Sequence, residues 1–94
     1  MAEALKGIHI VISGVVQGVG FRWFVLRVAE KYGVKGFVRN LYDGSVEIVA
    51  EGSESTLEAF LDEVRIGPRH AHITGVKSEW LDYKGNDKEF RIRL

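Results

Sequence analysis

The sequence of 94 residues contains no cysteine. This absence excludes disulfide bonds, thiol nucleophiles and cysteine-ligated metal sites. Net charge is also lacking, because 13 lysines and arginines balance 13 aspartates and glutamates. A neutral chain has no bulk attraction to nucleic acid or to an anionic membrane, so we expect neither as a partner.

Long apolar runs, linkers and repeats are missing as well. No stretch is long enough to cross a bilayer, and the segment from Met1 to Lys6 has no basic cluster leading into an apolar run. Hydrophobic residues make up 46% of the chain and charged residues 28%, which is typical of a soluble globular protein. We therefore expect a single domain over residues 1–94, acting as a monomer in the reducing cytoplasm.

Two hydrophobic patterns follow one another along the chain. Alternation of apolar and polar residues predicts strands, and apolar residues spaced by three and four predict amphipathic helices. The predicted strands cover residues 8–12, 34–41, 46–50, 73–81 and 90–94, and the predicted helices cover 21–32 and 55–64. This β-α-β-β-α-β order with a short final strand favours an α+β fold, in which two helices pack on one face of a mainly antiparallel sheet.

Short motifs predict where some of these elements begin and end. Gly33 is expected to end the first helix, and Asp43-Gly44 predicts a hairpin turn. Ser55 and Glu58 have the spacing of a capping box, which places the start of the second helix at Ser55. The first strand is apolar on both sides, so we expect it in the middle of the sheet. Trp23 lies opposite the apolar stripe of the first helix, either partly exposed or covering a sheet edge.

The most unusual segment connects the first strand to the first helix and reads Gly14-Val15-Val16-Gln17-Gly18-Val19-Gly20. Its glycines are expected to end the strand and to let backbone N–H groups converge on a concave surface. The following helix directs the positive end of its dipole there, and the fork of Arg22 can bind two phosphate oxygens. The segment fits a site for a compact dianion and, equally, a tight connection with an exposed arginine.

Two blocks of the sequence carry a likeness to a known family. The segment Ile12-Ser13-Gly14-Val15-Val16-Gln17-Gly18-Val19-Gly20-Phe21-Arg22 resembles the phosphate-loop motif of the acylphosphatases. Gly36-Phe37-Val38-Arg39-Asn40, followed by Gly44, Val46 and Gly52, resembles the second motif of that family. The likeness covers nearly the whole chain. It departs from the family at Val15, where a basic residue is common, and at Phe37, where tryptophan is common.

The resemblance implies a ferredoxin-like sandwich that hydrolyses the carboxyl-phosphate bond of small acyl phosphates and releases inorganic phosphate. It implies no metal and no organic cofactor. Carried onto this chain, it implies that Arg22 holds the phosphate and that Asn40 orients the attacking water. The phosphate-binding loop would consist of Val15, Val16, Gln17, Gly18, Val19 and Gly20. From the residues alone, Asn40 is better explained as the entry to a hairpin turn, and the motif favours the catalytic role.

Two other functions are compatible with parts of the sequence. A non-catalytic ferredoxin-like module that binds an anion or RNA shares the element order, but the strand Val46-Glu47-Ile48-Val49-Ala50 has no aromatic residue for base stacking. Similar domains also begin the large carbamoyltransferases of hydrogenase maturation, and the length of 94 residues favours a stand-alone enzyme. A metal site is not expected, because His9, His70 and His72 lack the spacing of a three-ligand set.

Overall fold

The computed structural model describes residues 3–94. Seven elements follow one another along the chain: β1 (Leu5–Val15), α1 (Phe21–Tyr32), β2 (Lys35–Asn40), β3 (Val46–Ser53), α2 (Glu54–Val64), β4 (His72–Asp82) and β5 (Phe90–Arg93). Their order is the predicted one, with two helices and five strands. None of the helices within these residues is long and apolar enough to cross a membrane.

The five strands form one sheet in the order β4-β1-β3-β2-β5. β1 is antiparallel to both of its neighbours, β3 and β4, so its predicted central position is confirmed. β2 is antiparallel to β3 and parallel to β5, which is the single parallel pair among the described strands. The sheet is therefore mainly antiparallel, as predicted, and has β4 and β5 at its two edges.

One face of the sheet is covered by the two helices and carries the core. Ile8, Ile10 and Ile12 of β1 point into it, each 2% exposed or less, together with Val38 of β2. The apolar stripes of the helices complete the core, with Phe21, Val25, Val28 and Ala29 from α1 and Leu57, Phe60 and Val64 from α2. Side chains two apart on a strand share a face. Asn40 therefore follows Val38 on the helix-covered side, at the end of β2.

β1 is longer than the sequence predicted, since it continues through Gly14 and Val15. Pairing with β4 continues past an irregularity between Ser13 and Gly14, with Gly14 opposite Ile73 and Val15 opposite His72. The positive φ of Gly14, 125°, permits this course, and a Cβ there would lie 2.1 Å from the carbonyl oxygen of His72. The glycine thus allows close strand pairing instead of ending the strand.

The predicted capping box at Ser55 is wrong, because α2 begins one residue earlier, at Glu54. The cap is Ser53, whose extended backbone and side-chain oxygen suit that position. Its Oγ accepts a hydrogen bond from the backbone N–H of Thr56. The hydroxyl of Ser55 instead donates to Glu3, at 2.5 Å, and so holds the start of the described chain against the helix.

Candidate active site

The loop between β1 and α1 is shaped by two glycines with left-handed backbone. Gly18 has φ 75° and Gly20 has φ 78°, a conformation that costs other residues about 1–2 kcal/mol. A Cβ on either glycine would meet no atom within 4 Å, so the backbone conformation, and not lack of space, requires glycine. Val16 anchors the loop, since its side chain is 1% exposed in the core. Left-handed residues in a short loop are a feature of backbone nests, in which successive N–H groups converge on an anion.

The N-terminus of α1 has no side-chain cap. Gly20 occupies the cap position and offers no side-chain hydrogen bond, and the first turn contains no acidic residue. The first intrahelical bond runs from the Phe24 N–H to the Gly20 carbonyl, at 3.0 Å. The N–H groups of the preceding residues have no intrahelical acceptor, so this end of the helix favours an anion.

A cavity of about 170 Å³ lies at this helix end. It is lined by Val16, Gly18, Gly20, Phe21, Arg22, Trp23 and Asn40. The fold thus brings together the two residues, Arg22 and Asn40, to which the sequence motifs pointed. A space of this size exceeds what one water molecule needs, so it can admit a small anion.

Not every residue of the predicted loop lines this cavity. Val15 is the last residue of β1 and is 57% exposed, and Val19 packs against the core. Gln17 faces a different space, described below. The predicted loop therefore divides between residues that border the cavity and residues that hold the loop in place.

Arg22 is half-buried in the first turn of α1. Within residues 3–94 it takes part in no salt bridge, whereas Arg39 is paired with Glu47, at 2.6 Å between Nε and Oε1. A guanidinium without a protein carboxylate keeps its donors available for a ligand. Arg22 therefore adds an unneutralised charge to the same cavity as the helix end.

Asn40 ends β2, where it pairs with Val46 of β3. Its Oδ1 is buried and has no hydrogen-bond partner among the described residues. An unsatisfied buried acceptor costs about 1–3 kcal/mol, and natural structures keep few of them. Asn40 lines the cavity, and this acceptor is the clearest polar anomaly in the described part of the chain.

The side chain of Gln17 connects the loop to the hairpin that follows Asn40. Its Nε2 donates to the carbonyl oxygens of Leu41, at 2.8 Å, and Ser45, at 2.9 Å. Sequence reasoning assigned Gln17 to the ligand and missed this contact. No local pattern could have revealed it, since the partners lie 24 and 28 residues away.

The hairpin itself is held by Asp43, which confirms the predicted turn. Its Oδ1 accepts hydrogen bonds from the hydroxyl of Ser45, at 2.5 Å, and from the Ser45 N–H, at 2.9 Å. These two bonds lower the pKa of the Asp43 carboxyl. Together with Gln17, the turn fixes the backbone on the far side of Asn40.

A second, larger space lies beyond Asn40. It is an open groove of about 630 Å³ lined by Gln17, Arg39, Asn40, Leu41, Tyr42 and Leu94. The groove and the smaller cavity have one lining residue in common, Asn40. Asn40 therefore lies between the cavity that Arg22 lines and this larger groove.

The uncovered face of the sheet carries a cluster around Glu47. Its two carboxylate oxygens lie 2.9 Å from Nε2 of His9 and 2.6 Å from Nε of Arg39. Burial raises the pKa of Glu47, but the hydrogen bonds from His9 and Arg39 outweigh it and hold the pKa below its ordinary value. Within residues 3–94, no three histidines, aspartates or glutamates are grouped to hold a metal ion.

Fold and site together define a class of protein. It is a ferredoxin-like α+β domain in which a glycine loop, a helix N-terminus and an arginine meet at one small cavity. The family model described as acylphosphatase matches residues 8–92. The chain belongs to the acylphosphatase family, and the resemblance seen in its two motifs is confirmed.

Known proteins agree with this assignment over almost the full chain. An acylphosphatase of Thermotoga maritima is 53% identical over 89 residues, covering 95% of this chain and 98% of the relative. The crystal structure of an acylphosphatase from Bacillus subtilis superposes with a TM-score of 0.91 at 36% identity, covering 97% of this chain and all of that one. Full-length HypF, in a phosphate- and nucleotide-bound form, contains a similar domain, with a TM-score of 0.86 at 32% identity. That match covers all of this chain and 12% of HypF.

Proposed function

We propose that the protein hydrolyses small acyl phosphates to a carboxylate and inorganic phosphate, and that Arg22 binds the phosphate while Asn40 orients the attacking water. Membership of the acylphosphatase family supports the reaction. The observation that carries the residue roles is that Asn40, whose buried Oδ1 has no hydrogen-bond partner among the described residues, lines the same cavity as Arg22 and the helix end.

Hydrolysis of an acyl phosphate depends on charge stabilisation more than on a strong nucleophile. A carboxylate is a good leaving group, so catalysis of phosphoryl transfer consists mainly of positioning and of neutralising the phosphoryl oxygens. The loop N–H groups, the open end of α1 and Arg22 supply preorganised donors. Removal of one such donor costs about 2.7–4 kcal/mol of barrier in other enzymes. Arg22 can contact two oxygens at once and should contribute the most.

Asn40 suits a positioning role for water. An amide both donates and accepts hydrogen bonds but is not a base at neutral pH. Its unpartnered Oδ1 can accept a hydrogen bond from a water O–H, which leaves a lone pair of the water oxygen directed at phosphorus. Attack then proceeds in line with the departing carboxylate, and the alignment lowers the entropic part of the barrier. Phosphorus is attacked directly, and no covalent enzyme intermediate is required.

The proposal also covers the domain organisation, oligomeric state, location and partners of the protein. We propose that residues 1–94 act as one domain and as a monomer, in the cytoplasm, without nucleic acid or membrane as partner. The balance of 13 basic and 13 acidic residues supports the absence of nucleic acid and membrane partners, and the lack of cysteine fits the cytoplasm. Light scattering should give a mass near 10.6 kDa, and a value near twice that would contradict the monomer.

The test is phosphate release from benzoyl phosphate in the presence of a chelator. We expect fast hydrolysis by the wild type and a loss of at least roughly a hundredfold in kcat for Arg22→Ala and for Asn40→Ala. Arg27→Ala is the matched control, because Arg27 lies on the exposed side of the same helix. It should retain full activity, and circular dichroism should show all variants folded.

Two results would contradict the proposal in different ways. Retained turnover in a folded Arg22→Ala protein would remove Arg22 from the site while leaving the reaction in place. No hydrolysis by a folded wild type would exclude the reaction and favour the alternative, a non-catalytic domain that binds an anion. Sensitivity of the wild type to the chelator would exclude a metal-free reaction.

A further inference from the structure

We infer that Trp23 forms the wall of the site against which the acyl group lies, and that it favours acyl phosphates with an aromatic or large apolar acyl group. The inference rests on the proposed function and adds a specificity residue to it. Trp23 lines the same cavity as Arg22 and Asn40, and the proposed function assigns no role to its indole side chain.

An in-line displacement has three parts, which are the phosphoryl group, the nucleophile and the leaving group. The residues that line the cavity can be assigned to these three parts. Five of its seven residues belong to the loop and the start of α1 through Arg22, and their backbone and guanidinium groups suit the phosphoryl oxygens. Asn40 is the second part, and it faces the nucleophile. Trp23 is the remaining residue. Because the leaving oxygen stands opposite the attacking one, the acyl group departs from the side away from Asn40.

The larger groove does not compete for this role. It meets the phosphate cavity at Asn40 alone, so in the proposed geometry it lies behind the attacking water. An acyl group placed there would be on the side of the nucleophile and could not leave in line. The groove therefore serves as the entry for water, which its open form allows.

Trp23 has the surface that such a contact needs. It is 65% exposed although it is among the largest apolar side chains in the protein. Within the described residues it takes part in no aromatic pair and no cation–π contact, whereas Phe21 and Phe24 on either side of it pack against each other. Its position in the first turn of α1 fixes its backbone next to Arg22. An aromatic acyl group would cover the indole ring and gain a stacking contact.

The experiment compares benzoyl phosphate with acetyl phosphate for the wild type, Trp23→Ala and Trp23→Phe. We expect Trp23→Ala to lower the ratio of kcat/KM for benzoyl over acetyl phosphate by roughly three- to tenfold, mainly through KM for benzoyl phosphate. Trp23→Phe should recover most of the ratio, since it restores an aromatic face. The inhibition constant of inorganic phosphate should change little, because the indole is assigned to the acyl group, which inorganic phosphate lacks.

Trp80→Ala is the matched control. Trp80 is also an exposed tryptophan, at 45%, but it lies on β4 opposite Ile8, seven residues or about 23 Å along β1 from Val15. The ratio should not change in this variant. An equal loss on both substrates, or no loss, in folded Trp23→Ala would overturn the inference alone. Hydrolysis of neither substrate by the wild type would overturn it together with the proposed function.

Discussion

The contact between Gln17 and the hairpin after Asn40 gives a prediction that couples stability to catalysis. Gln17→Met keeps the length of the side chain and removes the donor of two hydrogen bonds, at 2.8 and 2.9 Å. Each such bond contributes about 0.5–1.5 kcal/mol net. Both acceptors keep a backbone partner in the variant, because the Leu41 carbonyl also accepts from Gly44 N–H and the Ser45 carbonyl from Leu41 N–H. No buried carbonyl is orphaned, so we expect a loss in the lower half of the range, about 1–2 kcal/mol.

Two assays measure the consequences for Gln17→Met. Thermal unfolding should show a decrease in Tm of roughly 4–15 °C for a domain of this size. Turnover of benzoyl phosphate should fall at least about tenfold in kcat with little change in KM, because in the proposed mechanism the Asn40 amide positions the water, and a displacement of such a group by 1 Å can cost about a hundredfold. Tyr42→Ala is the control on the same hairpin, since the Tyr42 side chain is fully exposed.

The outcomes of the two assays separate the two parts of this reasoning. A lower Tm with unchanged kcat would mean that the hydrogen bonds stabilise the fold without positioning Asn40. Unchanged Tm and kcat would refute the contact itself. If Tyr42→Ala behaved like Gln17→Met, the hairpin would be sensitive to any substitution and the assignment to Gln17 would fail.

Three further predictions concern Arg22, Asn40 and a surface carboxylate. Arg22→Lys keeps the charge but loses the planar fork, so kcat/KM should fall roughly a hundredfold, and wild-type activity in this variant would contradict bidentate binding. Asn40→Ala removes an unpaired buried acceptor, so urea unfolding should show no loss of stability beyond about 1 kcal/mol while activity is lost; a larger loss would give Asn40 a structural role. Hydrogen bonds from Lys31 and Tyr32 hold the pKa of Glu63 below its ordinary 4.5. A lowered pKa stabilises the fold above pH 4.5 and loses this effect as the pH falls through the folded value. Glu63→Gln should therefore be less stable than wild type at pH 7 and equal to it in acid, and a difference that persists at pH 2 would contradict the sign.

Local patterns in the sequence were enough to predict most of the fold. The alternation in the strands, and the spacing of Phe21, Val25 and Val28 in α1, indicate which side of each element is buried. Neighbouring residues alone contain this information. Gly33 ends α1 with a φ of 68°, as predicted, because a helix end of this kind is a local event. Signals of this kind depend only on neighbouring residues and not on contacts with distant parts of the chain.

The errors share a different cause, which is contact between distant segments. Gly14 continues β1 because β4 pairs with it. Ser55 donates a hydrogen bond to Glu3, and Ser53 is the N-cap of α2. In the site, the motifs pointed to Arg22 and Asn40, but nothing along the sequence marked the free Oδ1 or the side-chain bonds of Gln17. These properties arise only when three parts of the chain meet, so no window of neighbouring residues contains them.

The parallel pairing of β2 with β5 has a consequence for how the protein acquires activity during synthesis. β2 ends at Asn40, and until β5 is added it is an edge strand with β3 alone beside it. The partner is the last strand in the sequence, and Gly36 pairs with Phe90 across more than half of the chain. Contacts of such long range form late in folding. A nascent chain that has exposed β1 to β4 but not β5 should therefore hold an incomplete sheet next to the amide of Asn40, and we expect hydrolysis only once β5 has emerged and paired with β2.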